Sequence, residues 1–129
     1  MRRALPLCLL LIAAKALAAS PPVAPAELQA RIAGEAPPLV LDVRTADEYA
    51  AGHVPGAVLI PHDELAARIG ELGAPREVIV YCRTGRRSGL VEPVLEAHGF
   101  QVSQLEGSWQ AWEVAGLPIE REAATENTP

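Results

Sequence analysis

One stretch of this sequence, a cysteine followed closely by three arginines, has the residue types needed for a chemical reaction. Cys82 comes directly after segment 78–81, whose β-branched and aromatic residues predict a buried strand. Apolar residues from Leu90 to Leu95 recur at helical spacing and predict a helix that ends near Gly99. The pattern is therefore strand, tight loop and helix. After the cysteine, the loop residues are Arg83, Thr84, Gly85, Arg86, Arg87 and Ser88.

Such a loop is suited to hold an anion. Backbone N–H groups without partners gather where a loop enters a helix, and the helix dipole adds partial positive charge there. Gly85 can adopt the positive φ that lets successive amides converge on one point. A thiol in that position ionises easily, which makes Cys82 a candidate nucleophile. The three loop arginines would add charge if they turn inward. The alternative is an inert, buried cysteine at the end of a strand.

Several segments of the chain resemble signatures of one family. Cys82-x-x-Gly85-x-Arg87-Ser88 resembles the active-site loop of the rhodanese (thiosulfate sulfurtransferase) family. Upstream, segments 41–44, 48–49 and 52–57 resemble two further signatures. Downstream, segment 105–109 with Trp112, followed by segment 116–118, resembles the closing signature. These segments occur in the expected order and predict a rhodanese-like domain over residues 23–119.

The resemblance implies a sulfurtransferase that works through a persulfide on Cys82. In the first step the thiolate takes the outer sulfur of thiosulfate or a similar donor, and in the second step cyanide or a thiol acceptor removes it. The partners would thus be a small anionic sulfur donor and its acceptor, and no metal or organic cofactor is required. The substrate-binding residues would be Arg83, Thr84, Gly85, Arg86, Arg87 and Ser88.

Strands and helices alternate along the rest of the chain. Strands are predicted at 39–43, 57–60, 78–81 and 101–105, and helices at 25–33, 45–51, 63–72 and 108–115 as well as after the cysteine loop. Thr45 and Glu48 have the capping-box pattern at the start of the second helix. This alternation predicts an α/β fold: a small parallel-sheet, three-layer, rhodanese-like domain with helices on both faces. Ligands in such sheets bind at the carboxyl ends of the strands, where the loop after Tyr81 lies. Pro93 lies about six residues into the predicted helix, so a kink or an irregular first turn is expected.

Asp42 and Arg44 follow a strand that ends at the same edge of the sheet. They could form a wall of the anion site, with the acid orienting the loop arginines, or they could be a structural pair that holds the loop in shape. His53 precedes a Val-Pro-Gly turn and is interpreted as stabilising that turn rather than as an acid or base. The histidines do not share metal-ligand spacing with Cys82, so no metal site is predicted.

The first 18 residues have the three-part pattern of a cleaved signal peptide. Arg2 and Arg3 precede an uncharged run over 4–14, and Ala16-Leu17-Ala18 forms a small-x-small cleavage site. The sequence therefore predicts an exported protein, most simply periplasmic, without a membrane anchor after cleavage. Cleavage would remove Cys8 and leave Cys82 without an intramolecular disulfide partner. Residues 120–129 are polar and charged and are predicted to form a flexible tail.

Charge limits the classes of partner. The leader holds three of the eleven basic residues and no acid, so eight arginines and sixteen acidic residues remain, for a net charge of −8. An acidic body argues against nucleic acid and anionic membrane as partners. Three of the eight arginines lie between Arg83 and Arg87, which favours a small anionic ligand.

Two other functions use the same features. A cysteine-dependent phosphatase or arsenate reductase also needs a thiolate, an amide nest and an arginine. Cysteine phosphatases resemble one another in having five residues between cysteine and arginine, whereas four separate Cys82 from Arg87. The second alternative is a non-enzymatic module that carries persulfide or binds a partner through the loop. The sequence leaves the donor, the acceptor and any protein partner open.

Overall fold

A computed structural model describes residues 20–122 of the chain. The signal peptide predicted at 1–18 and residues 123–129 of the predicted tail lie outside this range. The helices are α1 (Pro25–Ile32), α2 (Ala46–Ala51), α3 (Leu65–Arg68), α4 (Arg86–Ala97) and α5 (Ser108–Val114), with a 3₁₀ turn at Ile69–Leu72. The strands are β1 (Leu39–Asp42), β2 (Val58–Leu59), β3 (Glu77–Tyr81) and β4 (Gln101–Gln104).

The four strands form one parallel sheet in the order β2-β1-β3-β4. The chain moves outward from β1 to β2 and then crosses to β3 on the other side of β1. The carboxyl ends of β1 and β3 therefore lie at the point where the strand order reverses, which is where sheets of this kind bind ligands. Cys82 follows β3 and Arg44 closely follows β1, so the topology brings them to one edge.

Alternate residues of the strands belong to two apolar clusters, one on each face of the sheet. From β3, Val78 and Val80 pack with Leu65 of α3 and Leu95 of α4. Tyr81, on the opposite face, belongs to the cluster of α1 and α5, which is centred on Leu28, Trp109 and Trp112. The result is the predicted three-layer α/β fold, with helices on both faces of a parallel sheet.

Local sequence explains most of the helix boundaries. Thr45 caps α2 by accepting a hydrogen bond from the Glu48 N–H, and the Glu48 carboxylate accepts one from the Thr45 N–H, the capping box that the sequence predicts. The helix predicted over 63–72 is shorter, because its second half is a 3₁₀ turn that ends at Gly73. Gly73 has a φ of +76°, which stops the helix.

Pro93 lies inside α4, which runs unbroken from Arg86 to Ala97. Because proline has no N–H, the carbonyl of Gly89 lacks its usual donor four residues on. The side chain of Pro93 is exposed, so its ring meets water rather than the core. The proline therefore weakens the middle of α4 without ending it, and the first turn beside the cysteine loop keeps its Gly89 N–H to Gly85 carbonyl bond at 3.0 Å.

The first residues of the tail predicted over 120–129 pair with the rest of the domain. Glu120 pairs with His53 through two antiparallel backbone hydrogen bonds of 2.9 and 3.0 Å, and the Glu122 N–H donates to the Ala50 carbonyl at 3.3 Å. Backbone pairing of this kind depends little on side-chain type, so the polar composition gave no sign of it. Within residues 20–122, none of the helices is both long and apolar enough to cross a membrane.

Candidate active site

Cys82 is the first residue after β3 and is almost completely buried, with 1% of its surface exposed. Its backbone is held on two sides, because its N–H donates to the Ser108 hydroxyl at 3.4 Å and its carbonyl accepts from the Trp109 N–H at 3.0 Å. Ser108 has a φ of +55°, an uncommon conformation for a residue other than glycine. The start of α5 thus fixes the position of the Cys82 backbone at the end of β3.

Hydrogen-bond donors converge on the Cys82 sulfur. The Gly85 N–H lies 3.0 Å from Sγ and the Ser88 hydroxyl lies 3.6 Å from it. Gly85 has a φ of +107°, the conformation expected for the turn. Burial raises the pKa of the Cys82 thiol, but hydrogen bonds from the Ser88 N–H and hydroxyl and from the Gly85 and Thr84 N–H groups outweigh it. The pKa therefore lies below its ordinary value, and the sulfur ionises readily.

The loop arginines do not all turn toward the sulfur. Arg87 forms a bidentate ion pair with Glu48, with N–O distances of 2.7 and 3.0 Å, across 39 positions of sequence. Arg83 and Arg86 are exposed, as is Thr84. The hydrogen bonds that lower the pKa of Cys82 come from amides and a hydroxyl, not from guanidinium groups.

Asp42 and Arg44 form a buried pair with each other. Arg44 Nη2 donates to Asp42 Oδ2 at 2.7 Å and to the Gly52 carbonyl at 2.7 Å, and its guanidinium lies 4.6 Å from the ring centre of Trp109. Within residues 20–122, no hydrogen bond joins Asp42 to a loop arginine. The contacts thus match a pair that holds the β1 end to the turn after α2, while Arg44 also reaches the wall of a nearby cavity.

That cavity adjoins the cysteine loop and has a volume of about 270 Å³. Gly52, Ala51 and Ile119 contribute apolar surface to it. Its charged and aromatic lining residues are Arg44, Glu48, Arg83, Trp109, Glu113 and Arg121. Cys82 itself does not line the cavity, but Arg83 is its neighbour in the chain, so the cavity opens beside the reactive loop.

Three of these residues were not predicted to belong to the site. The sequence predicts Glu48 as a helix-capping residue within a family signature, does not single out Glu113, and assigns Arg121 to the tail. Each reaches the site through contacts between distant parts of the chain, so local spacing carries no signal for them. The 39-residue separation of Glu48 and Arg87 is an example.

His53 and Trp112, the remaining side chains considered from the sequence, make contacts outside the cysteine loop. The ring of His53 stacks on that of Tyr49 with centroids 3.6 Å apart, and His53 is 5% exposed, which agrees with a role in the turn. Trp112 is fully buried and donates to the Pro118 carbonyl. Across residues 20–122, no three His, Cys, Asp or Glu side chains are grouped so that they could hold a metal ion.

The geometry supports nucleophilic attack by a sulfur anion. A readily ionised thiol sits in a ring of N–H and O–H donors at the carboxyl edge of a parallel sheet, the kind of setting that stabilises negative charge. Any anion formed on the sulfur, or transferred to it, would meet the same donors.

Comparison with known proteins shows the family. The model of the Rhodanese-like domain family matches residues 24–115. A sulfurtransferase of Allochromatium vinosum is 37% identical over 93 residues, which cover 71% of this chain and 87% of that protein. An HTH-type transcriptional regulator of Mycobacterium tuberculosis is 40% identical over 98 residues, 74% of this chain. The match covers only 42% of the regulator's length.

A solved structure agrees with the fold. The crystal structure of a rhodanese-like domain protein from Staphylococcus aureus superposes with a TM-score of 0.71 at 30% sequence identity. The superposition covers 81% of this chain and 100% of that one.

Proposed function

We propose, from the premise that this chain belongs to the rhodanese-like domain family, that it is a sulfurtransferase whose reactive group is Cys82. One observation carries the proposal: a buried thiol whose sulfur is the focus of the Gly85 N–H and the Ser88 hydroxyl. That arrangement favours the thiolate before the reaction. It also favours the negatively charged persulfide after it.

The proposed first step is attack on a small anionic sulfur donor such as thiosulfate. The Cys82 thiolate forms a bond to the outer sulfur, the S–S bond of the donor breaks, and its electron pair leaves with sulfite. The exposed Arg83 and Arg86 are placed to attract a dianion toward the loop. The N–H groups of Thr84, Gly85 and Ser88 stabilise the negative charge of the persulfide that is left on Cys82.

In the second step an acceptor removes that sulfur. Cyanide or a thiolate attacks the outer persulfide sulfur, and the electron pair of the broken S–S bond returns to Cys82. The thiolate is then ready for another cycle. The chain's own residues supply the nucleophile and the donors for both steps, so the proposed cycle uses no cofactor.

The position of Arg87 argues against the phosphatase alternative. Cysteine-dependent phosphoryl transfer needs an arginine that faces the transferred group. Here both terminal nitrogens of Arg87 are bound by Glu48. The loop also has one residue fewer than the phosphatase pattern. A module without catalysis would not need a thiol of lowered pKa. The match to one part of a longer regulator is the observation that favours this alternative.

Mass spectrometry of the protein after incubation with thiosulfate tests the proposal. We expect a gain of one sulfur, about 32 Da, that is lost again when cyanide is added. The Cys82→Ser variant should fold but gain no sulfur, because an oxygen cannot carry the persulfide. Ready hydrolysis of an aryl phosphate without sulfur uptake would instead support the phosphatase. Sulfur uptake and release without sustained turnover of thiosulfate and cyanide would support the carrier module.

An insertion in the loop distinguishes sulfur chemistry from phosphorus chemistry further. One added glycine between Cys82 and Arg87 widens the ring of amides to the phosphatase size. We expect weaker sulfur transfer in this variant, because the donors no longer converge on one sulfur atom. Sulfur transfer equal to that of the parent protein would contradict the argument from loop size.

We also propose that the protein acts outside the cytoplasm, most simply in the periplasm. The support is the leader pattern of residues 1–18, which combines paired arginines, an uncharged run and a small-x-small site.

A further inference from the structure

We propose that Gln104 is a positioning residue of the sulfur-transfer reaction, which holds Ser88 in place and, through Ser88, the hydrogen-bond donors that face the Cys82 sulfur. The inference rests on the proposed sulfurtransferase function and adds a residue to it. Gln104 lies outside the cysteine loop, and its side-chain amide contacts Ser88 rather than the sulfur. Its effect on the reaction is therefore indirect.

The cysteine end of the loop is fastened to the start of α5. The Cys82 carbonyl accepts a hydrogen bond from the Trp109 N–H at 3.0 Å, and the Arg83 carbonyl accepts one from the Gln110 N–H at 3.2 Å. These two N–H groups belong to the first turn of α5 and have no partners within the helix. The backbone at this end of the loop is thus fixed. The donors stay around the sulfur only if the other end, at Ser88, is fixed as well.

The side-chain amide of Gln104 holds that other end. Its Nε2 lies 3.2 Å from the Ser88 carbonyl oxygen and 2.9 Å from Glu92 Oε2. Both partners are acceptors, so they are matched by the NH₂ group of the amide, which has two protons to donate. The bond to the Glu92 carboxylate is charge-assisted. Because Glu92 lies one turn after Ser88 in α4, the amide bridges the first two turns of that helix.

Gln104 is itself held in place by its backbone. It is the last residue of β4 and pairs in register with Val80 of β3, two residues before Cys82. Its carbonyl accepts a hydrogen bond from the Val23 N–H at 2.9 Å. The backbone of Gln104 is therefore bound on both sides, by β3 and by the segment before α1. Its amide thus ties Ser88 to the sheet.

The first turns of α4 need such support because the helix is weakened in its middle. Pro93 has no N–H, so the Gly89 carbonyl lacks its usual helical donor. The Ser88 carbonyl, which Gln104 binds, is the one directly before it in the chain. The amide thus stabilises α4 from outside, next to the position where the bonding within the helix is interrupted.

Ser88 is the residue through which this support reaches the reaction. It is fully buried, and its N–H and its hydroxyl both face the Cys82 sulfur, the hydroxyl at 3.6 Å. A hydrogen bond weakens steeply when its donor turns away from the acceptor. A displacement of Ser88 would therefore weaken two donors at once and raise the pKa of Cys82.

The pH profile of Cys82 alkylation by iodoacetamide tests the proposal. Gln104→Met keeps the length of the side chain but removes both donated hydrogen bonds. We expect the midpoint of the profile to move to higher pH by about half a unit, part of the effect of one hydrogen bond to a charged group. Below the midpoint, the rate constant of sulfur uptake from thiosulfate should fall about two- to threefold, because less of the thiol is ionised.

A double-mutant cycle with Ser88→Ala tests whether the effect passes through Ser88. In the Ser88→Ala background the hydroxyl is already absent, so Gln104→Met should shift the midpoint less than in the parent protein. A purely structural role of Gln104 would lower the free energy of unfolding in urea without moving the midpoint. Equal shifts in the two backgrounds, or a loss of stability with an unchanged midpoint, would overturn the positioning role.

Gln101→Met is the matched control. Gln101 lies at the other end of β4 and has an exposed side chain, so the same substitution there changes the strand away from the loop. Its alkylation midpoint should equal that of the parent protein. Gln104→Asn retains an amide on a side chain one methylene shorter and should raise the midpoint in the same direction. It takes the place of Gln104→Met if that variant does not fold.

The two proposals fail in different ways. If the parent protein takes up no sulfur from thiosulfate, the proposed function fails, and Gln104 has no reaction to position. If the parent protein takes up sulfur but Gln104→Met and Gln104→Asn keep its midpoint and its uptake rate, only the role of Gln104 is overturned. A shift in Gln101→Met as large as that in Gln104→Met would also contradict this role, because the effect would then belong to β4 as a whole.

Discussion

At the scale of single residues, Ser88 has a central place in the loop because its hydroxyl has two acceptors within reach. It lies 3.2 Å from the Gly85 carbonyl and 3.6 Å from the Cys82 sulfur, and it has one proton to donate. When the sulfur is ionised, a bond to Sγ is charge-assisted and is the stronger of the two. The same serine also supplies a backbone N–H to the sulfur. Ionisation of Cys82 and orientation of Ser88 are therefore coupled.

The Ser88→Ala variant tests this coupling. Removing the hydroxyl takes away one donor but leaves the backbone N–H groups, so the pKa of Cys82 should rise without returning to that of a thiol lacking the nest. The pH profile of alkylation by iodoacetamide measures this as a midpoint shifted to higher pH. Ser103→Ala, which changes a buried serine on β4, should leave the profile in place. An unshifted midpoint in Ser88→Ala would show that the hydroxyl serves only the Gly85 carbonyl.

At the scale of elements, the Glu48–Arg87 pair connects α2 to the first turn of α4. Glu48 also completes the capping box of α2, so one carboxylate links the helix cap to the cysteine loop. Hydrogen bonding to Arg87 lowers the pKa of Glu48 to about 2; burial opposes this and the Thr45 N–H adds to it. The pair thus positions the loop.

Breaking this link should reduce stability at neutral pH. For Glu48→Gln or Arg87→Met we expect a loss of about 1–2 kcal/mol in the free energy of unfolding, between the values for exposed and buried pairs. Because the pKa of Glu48 is lower in the folded state, the pair stabilises above pH 4.5, and this contribution is lost as the pH falls toward about 2. Urea unfolding at pH 7 and at pH 2 checks both points, and the parent protein and the variants should converge at the lower pH.

The exposed pair of Arg68 and Glu71 provides the comparison. Both side chains are more than a third exposed, so Arg68→Met should cost less than Arg87→Met. Equal losses for the two substitutions would show that the Glu48–Arg87 pair does not connect the elements more strongly than a surface contact. A difference between parent and Glu48→Gln that persisted at pH 2 would also contradict the argument.

At the scale of the whole molecule, the sequence determines the elements and the loop better than it does the contacts between distant segments. The strands and the capping box of α2 were predictable because apolar runs and capping residues act within a few positions. The position of Cys82 after β3 follows from the same local signals. Glu113, Arg121 and the link from Glu48 to Arg87 were not predictable, because these residues come near the cysteine loop only through contacts between distant segments.

Export of the chain is a prediction that can be tested directly. When the full 129-residue chain is made in a bacterial host that exports proteins, we expect the periplasmic protein to begin at Ala19 or one residue later. The physical reason is that the uncharged run over 4–14 enters the export machinery and the small side chains of Ala16 and Ala18 fit the processing enzyme. Intact-mass measurement of the periplasmic fraction gives the new N-terminus. Ala18→Lys should block cleavage and leave a heavier, membrane-associated precursor, whereas Ala24→Lys, beyond the leader, should not. Periplasmic protein that still carries Met1 would contradict the prediction.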